Sequence, residues 1–282
     1  PINSTDWNLY FLEYKKIPEY KNINYGMTLN EFKVIFYWEY AHRLLARIVG
    51  LFSLIPLIFF SIRFSKNEFY SNKYYIIFFL VCLQGFIGWY MVSSGLIENN
   101  DVSHFRLSLH LSLALFILSL IFFFILDIFK IKKNQIRISN LFLFFILILI
   151  ILKKMLGAFL SGLDGGLIYN TWPDMNGTFF PNDVELKYII SKQLVNNPSI
   201  VQFLHRLIAY LLLFLIIILN YIYIKKKFDL KNIIFFDLAI LIQVFLGIIT
   251  LISGVEIKYA SLHQLGSILV LSSYFLILYK NS

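Results

Sequence analysis

Paired cysteines are absent. Cys82 is the one cysteine in 282 residues and it lies inside an apolar run, which excludes a disulfide framework and any CxxC metal or redox motif. Charge is scarce as well. Only 15% of the residues are charged and 59% are hydrophobic, whereas a soluble domain has about 25% and about 45–50% respectively. With a mean hydropathy of +0.73, the chain reads as an integral membrane protein. Its charges sum to +9, but the cations punctuate apolar runs instead of lining one face. They report membrane topology, and no nucleic-acid partner is expected. No signal-peptide pattern opens the sequence, which begins at Pro1.

Seven long apolar runs are present, at 34–62, 75–96, 105–127, 138–162, 200–224, 233–254 and 259–280. Each is near or above the ~20 residues that cross a bilayer as a helix, so the expected fold is an all-α polytopic membrane protein. Residues 1–33, polar and aromatic with mixed charge, are expected to form short amphipathic helices at the membrane surface. The segments around 63–74, 128–137 and 225–232, with the C-terminus, hold twelve cations, including Arg63, Lys66, Lys73 and Lys280, against Glu68, Asp127 and Asp229. The other side is nearly balanced, with eleven cations and twelve acids. The positive-inside rule then puts the basic side in the cytoplasm, or in the matrix of an organelle, and residues 1–33 outside.

Four of the five histidines mark the odd-numbered runs. His42, His110, His205 and His263 lie one to three turns into the first, third, fifth and seventh runs. Those runs all start on the outer side, which places the four histidines in the outer half of the membrane, roughly 6–13 Å deep by helical rise. His104 precedes the third run and is expected at the surface. The halves of the chain also repeat. EYAHRLLA at 39–46 matches QFLHRLIA at 202–209, and Ser108-Leu109-His110 matches Ser261-Leu262-His263. Between them Gln84, Phe86, Gly88, Ser94 and Gly95 match Gln243, Phe245, Gly247, Ser253 and Gly254. A duplicated bundle with two histidines per copy follows, with an N-terminal bundle at 34–137 and a C-terminal one at 138–282 that contains an outer loop at 163–199. The second copy has four helices and the first has three, so an eighth helix is expected to precede Pro1, making two pseudo-symmetric four-helix bundles.

Two histidines from different helices at one depth suit an iron porphyrin clamped from both faces. Arg43 and Arg206 each follow a histidine, and Arg106 lies one turn before His110; cations at the membrane mouth suit propionates. Two plainer readings stand beside this one. The histidines are hydrogen-bonded interior groups, or they bind zinc, although no third or fourth ligand repeats with them. Glu39 of the first copy becomes Gln202 in the second. A carboxylate serves proton transfer or water activation and is not needed merely to pass an electron. The first pair is therefore expected to be reactive and the second to be a cofactor site. The plain reading of Glu39 is an ion pair with Arg43, four residues on. The outer loop is entered through LGAFLSGLDGGLIYNTWPDMNGTFFP, residues 156–181, and reads either as a lid over one site or as an ordinary ordered loop. Lys153 and Lys154 fall within an apolar run, where they line a cavity or snorkel. Lys153-x-x-x-Gly157 echoes Gln84-x-x-x-Gly88 and Gln243-x-x-x-Gly247.

The stretches WEYAHRLLARIVG, GFIGWYMVSSGL, FRLSLHL, LGAFLSGLDGGLIYNTWPDMNG, VQFLHRLIAY and SLHQLGS cover nearly the whole chain and resemble, in order, the haem A synthase family in its mitochondrial and alphaproteobacterial form. The resemblance implies a haem b cofactor with its iron. It also implies oxidation of the C8 methyl group of haem O to the formyl group of haem A by successive hydroxylations, in the service of terminal cytochrome oxidase. By matched motif, His42 and His110 flank the substrate haem, with Arg43 and Arg106 beside it. His205 and His263 ligate haem b, with Arg206 beside it. Glu39 is the carboxylate required for the chemistry, and proton transfer is its expected role. Expected partners are haem O, haem O synthase, cytochrome oxidase assembly factors, the lipid bilayer and a second copy of the chain. The expected setting is a bacterial inner membrane with both sites towards the periplasmic half, or the mitochondrial inner membrane. The chain departs from the family in carrying Lys153 and Lys154, and it lacks the paired outer cysteines of the Bacillus-type branch. The rival reading is a two-haem electron carrier of the cytochrome b561 kind, which leaves the exchange of Glu39 for Gln202 unexplained. A proton-coupled transporter needs polar groups at the midplane of several helices, and only the lysine pair approaches that.

Overall fold

The computed structural model describes residues 1–63, 69–95, 101–134 and 137–282. Lys66 and Glu68 of the basic loop lie outside the described residues. The helices are α1 (Ser4–Tyr14), α2 (Pro18–Asn22), α3 (Leu29–Arg63), α4 (Phe69–Gly95), α5 (His104–Ile128), α6 (Asn140–Gly162), α7 (Pro198–Lys225), α8 (Leu230–Ile252) and α9 (Ile257–Asn281). Among the described residues, the β-structure is one isolated bridge between Met175 and Thr178. The seven helices from α3 to α9 are each long and apolar enough to cross a membrane, so the all-α polytopic fold expected from the runs is the one observed.

Helix α3 begins five residues before its apolar run, and local chemistry explains why. Thr28 Oγ1 accepts from the Glu31 amide at 3.4 Å, while Glu31 Oε2 accepts from the Thr28 amide at 2.7 Å. This reciprocal pair is a capping box, which satisfies helix-end donors independently of hydropathy. The early start lets Phe32 join Trp7, Phe11 and Tyr20 in a buried cluster. The rings of Phe11 and Phe32 stack with centres 5.2 Å apart. The expected short helices are there as α1 and α2, which bury Trp7, Phe11 and Tyr20 beside the start of α3 while Leu9, Tyr10 and Leu12 stay exposed.

The chain forms two compact units, Pro1–His110 and Leu111–Ser282. The first comprises α1 to α4 and the opening turns of α5. In it α3 packs along α4, with Phe60 stacked on Tyr74 at 4.6 Å. Most of the α3 surface is exposed, including Trp38, Leu45 and Phe52, as suits a helix against lipid. His104 is the first residue of α5 and half-buried, not a loop residue at the surface.

In the second unit α6 packs along α7 and α8 along α9, with lesser contacts of α7 on α8 and of α6 on α9. The core between them includes Ile146, Leu219, Phe236 and Tyr274. Tyr274 spends its hydroxyl on the Leu143 carbonyl at 2.5 Å. The basic end is closed by Asn281, whose Oδ1 accepts from the Ile138 amide at 2.7 Å and whose Nδ2 donates to the Ile138 carbonyl at 3.1 Å and to Asn140 Oδ1 at 2.9 Å. Replacing a partner of buried backbone groups costs about 1–3 kcal/mol. Asn281→Ala is therefore expected to lower the thermal midpoint of the detergent-purified protein by several degrees, and a melting curve checks it.

Candidate functional site

An i, i+4 spacing on a helix puts two residues on one face, one turn apart. Three such pairs in this chain, each a long polar residue followed by glycine, meet a histidine on the next helix. On α4, Gln84 Nε2 donates to the His110 carbonyl at 3.0 Å and lies 3.1 Å from the ring Nδ1. A Cβ at Gly88 would come within 2.9 Å of His110 Cε1. On α8, Gln243 Nε2 donates to the His263 carbonyl at 2.9 Å and lies 3.1 Å from Nδ1. A Cβ at Gly247 would stand 2.8 Å from His263 Cε1. On α6, Lys153 Nζ lies 2.9 Å from His205 Nε2 and donates to its carbonyl at 3.3 Å, and a Cβ at Gly157 would come within 3.2 Å of the ring. The echo among these three segments in the sequence is thus a shared way of seating a histidine.

The lysines neither snorkel nor idle. Lys154 Nζ donates to the Ser267 carbonyl of α9 at 2.9 Å. Two cations within one apolar helix are held by carbonyls on two neighbouring helices, and interhelical bonds of this kind contribute about 0.6–2 kcal/mol each in a membrane.

The histidines come together in pairs inside each unit. His42 and His110 lie within Coulombic reach of one another in the first unit, as do His205 and His263 in the second. His42 is exposed, whereas His110, His205 and His263 are half-buried. Gln84 Oε1, His205 Nδ1 and Gln243 Oε1, beside these histidines, are buried polar atoms without a hydrogen-bond partner, as are Ser108 Oγ and Gln202 Oε1, and each calls for a physical explanation. Two imidazoles per pair, with no gathering of three His, Cys, Asp or Glu side chains among the described residues, fit a macrocycle that brings its own equatorial donors better than tetrahedral zinc.

Around the first pair, Glu39 and Arg43 form the ion pair anticipated from their spacing, both about half exposed. Arg106 stacks its guanidinium over the Tyr90 ring at 5.1 Å. Around the second pair the corresponding residues hold the outer loop. Gln202 Nε2 donates to the Tyr169 carbonyl at 2.9 Å. Arg206 donates to the carbonyls of Tyr169 at 3.0 Å, Thr171 at 3.0 Å and Asp174 at 2.7 Å. The loop is further pinned by Asp183, which accepts from Tyr169 Oη at 2.5 Å and from Ser199 Oγ at 2.7 Å. At its tip Asn176 and Gly177 both adopt positive φ, 55° and 90°, which Asn-Gly tolerates in a tight turn. The segment is thus an ordered one, tied to the first turns of α7.

With the fold, the repeat and the paired histidines in place, similarity to known proteins can be weighed. The family profile of the cytochrome oxidase assembly proteins, COX15-CtaA, matches residues 1–275. The chain belongs to this family. Among its relatives, the heme A synthase of Pelagibacter ubique is 78% identical over 282 residues, covering 100% of this chain and 84% of the relative. That of Rickettsia bellii is 40% identical over 279 residues, covering 96% and 83%. That of Wolbachia pipientis is 38% identical over 282 residues, covering 98% and 79%.

In this COX15-CtaA member, sequence reasoning alone did not find Asp183, Tyr169 or the loop contacts of Gln202 and Arg206: Asp183 and Tyr169 bond each other across fourteen residues of loop, and every acceptor on Gln202 and Arg206 is a backbone carbonyl. Asp183 gives the loop a pH dependence. Burial works against its charge, but the hydrogen bonds from Ser199, from Tyr169 and from its own backbone amide hold the carboxyl below its usual range. A group with a lowered folded pKa contributes stability above its unfolded value, about 4, and loses it as the pH falls through the folded one. Amide exchange of residues 169–183, corrected for intrinsic rates, is expected to speed up as the pH drops below about 4, and Asp183→Asn is expected to abolish that step.

Proposed function

We propose that this chain is a haem A synthase, an oxidoreductase that converts the C8 methyl group of haem O to a formyl group by successive hydroxylations. The observation that carries the reading is the 78% identity to a heme A synthase along the entire chain, and the paired histidines of each unit give it a chemical basis. The chain's residues are assigned accordingly. His205 and His263 hold haem b, the resident cofactor, in the second unit. Haem b supplies a one-electron redox centre when bound. His42 and His110 flank the substrate haem O in the first unit.

Glu39 is assigned to the movement of protons during methyl oxidation. Its ion pair with Arg43 fixes where the carboxylate stands, because a guanidinium offers five donors in a rigid fork. One carboxylate does not exhaust that fork, so Arg43, with Arg106, also serves the substrate's propionates. Arg206 serves the haem b site at one remove, by holding residues 169–174 from the position next to His205 in the chain. Two carboxylates or two glutamines at positions 39 and 202 would not do. Gln202 has to donate to the Tyr169 carbonyl, which a carboxylate cannot, and Glu39 has to accept a proton, which an amide does poorly.

The setting that agrees with the loop charges is a bacterial inner membrane with the histidine pairs in the periplasmic half. Haem O synthase is then the natural source of the substrate, and assembly factors of cytochrome oxidase take up the product.

Two measurements test this reading. Co-expression of the full-length protein with a haem O synthase, followed by chromatography of extracted haems, is expected to yield haem A from the wild type and at least a tenfold loss, about 1.4 kcal/mol of transition-state stabilisation, from Glu39→Ala. Bound haem b with no conversion of haem O by the wild type would sink the proposal. Separately, His205→Ala and His263→Ala are expected to lose the haem b spectrum of the purified protein while Glu39→Ala keeps it. Equal loss in all three would contradict the division of labour between the sites.

A further inference from the structure

We propose that Gln84, Gln243 and Lys153 are positioning residues, each fixing the histidine opposite it through that histidine's own carbonyl oxygen. The glycine one turn further along the same helix gives the ring its room. The inference rests on the haem b reading above for the two sites of the second unit, and it goes beyond that reading in naming what holds the ligands in place.

Three features carry it. The arrangement occurs three times, on α4, α6 and α8, against His110, His205 and His263. In each the same two elements converge on one imidazole, a donor to the carbonyl and a glycine whose Cβ would intrude on Cε1. Helix packing alone asks for a small residue and has no use for a polar side chain one turn before it. The carbonyl is also a chemically apt handle. In mid-helix its second lone pair is available beyond the helical bond, so a donor there ties down the histidine's backbone, while the same nitrogen stands 3.1 Å from Nδ1 of His110 and of His263 and 2.9 Å from Nε2 of His205. Second-shell groups of this sort orient metal ligands and tune them.

The side chains differ between sites, and that sets up a discriminating substitution. Two sites use glutamine and one uses lysine for the same bond. If the carbonyl bond is the function, glutamine serves at position 153 and a leucine does not.

The test uses the full-length, haem-loaded protein, read by optical and electron paramagnetic resonance spectra and by carbon monoxide binding to the reduced form. Two axial histidines give a low-spin haem b that does not bind carbon monoxide. Gln243→Leu and Gly247→Ala, which disturb His263 by independent routes, are each expected to convert the low-spin signal largely to a high-spin form that binds carbon monoxide. Lys153→Leu is expected to do the same through His205, and Lys153→Gln to restore the low-spin, unreactive spectrum. A low-spin, unreactive haem in both Gln243→Leu and Gly247→Ala would overturn the proposal, even if their thermal midpoints fell, since that is what packing alone predicts. His263→Ala separates the two layers. If it too keeps the wild-type spectrum, the haem b assignment falls and the positioning role with it. If it loses that spectrum while the other variants keep it, only the positioning role falls.

Discussion

A polar group inside hydrocarbon must find its partner within the protein, because no water is there to serve instead. That constraint organises the second unit. Lys153 and Lys154 on α6 reach carbonyls on α7 and α9, Tyr274 on α9 reaches back to α6, and Asn220 on α7 donates to Asp237 on α8 at 3.0 Å. Between them these four bonds tie three pairs of helices, α6 with α7, α6 with α9 (twice) and α7 with α8. The apolar core of Ile146, Leu219 and Phe236 supplies close packing, but lipid tails are as apolar as leucine, so burial of that core drives helix association only weakly in a membrane. The polar ties give the bundle its register.

The same economy explains the outer loop. A connection of more than thirty residues has backbone donors and acceptors to satisfy, and α7 provides for them from its first turns. Ser199, Gln202 and Arg206 lie three or four residues apart, on one helical face, and all three spend their side chains on the loop. The face that holds the loop is one residue round the helix from His205, so holding the loop and presenting the imidazole are linked through one rigid element. In the first unit the equivalent positions, Glu39 and Arg43, hold each other instead. The exchange of glutamate for glutamine between the copies is therefore not only a matter of chemistry at the first site. At the second it is also what the Tyr169 carbonyl demands.

Much of this was legible in the sequence, for identifiable reasons. The seven spans follow from hydropathy summed over some twenty residues, a signal that survives any single substitution. The histidine pairs follow from the repeat, which doubles each observation. The start of α3 was missed because a capping box is polar and local, and hydropathy is blind to it, although Thr28 and Glu31 at the right spacing announced it. The straps on the outer loop were not legible at all. Arg206 looks like an anion-binding cation from its type and place, but its partners are three carbonyls, and any residue but proline at those positions would present the same acceptor with a donor beside it. The glutamine–glycine and lysine–glycine pairs fall between these cases. Their spacing was visible, and only the structure says that a histidine stands across from each.

On the proposed assignment, the contrast between the two units is what a resident group and a visiting one would require. A cofactor that stays benefits from a site closed by a long, well-tied segment, since each tie slows its escape. Residues 163–199 are a well-tied segment, held by α7, the helix that carries His205. A substrate that must enter from a membrane and leave as product is better served by an exposed ligand, and His42 is exposed on a helix most of whose surface faces outward. Glu39 stands one turn from it, in an ion pair that is itself half exposed. Two copies of one helical plan thus differ in how firmly the histidine is covered and in whether the residue three positions before it donates to the outer loop or is a carboxylate paired with an arginine.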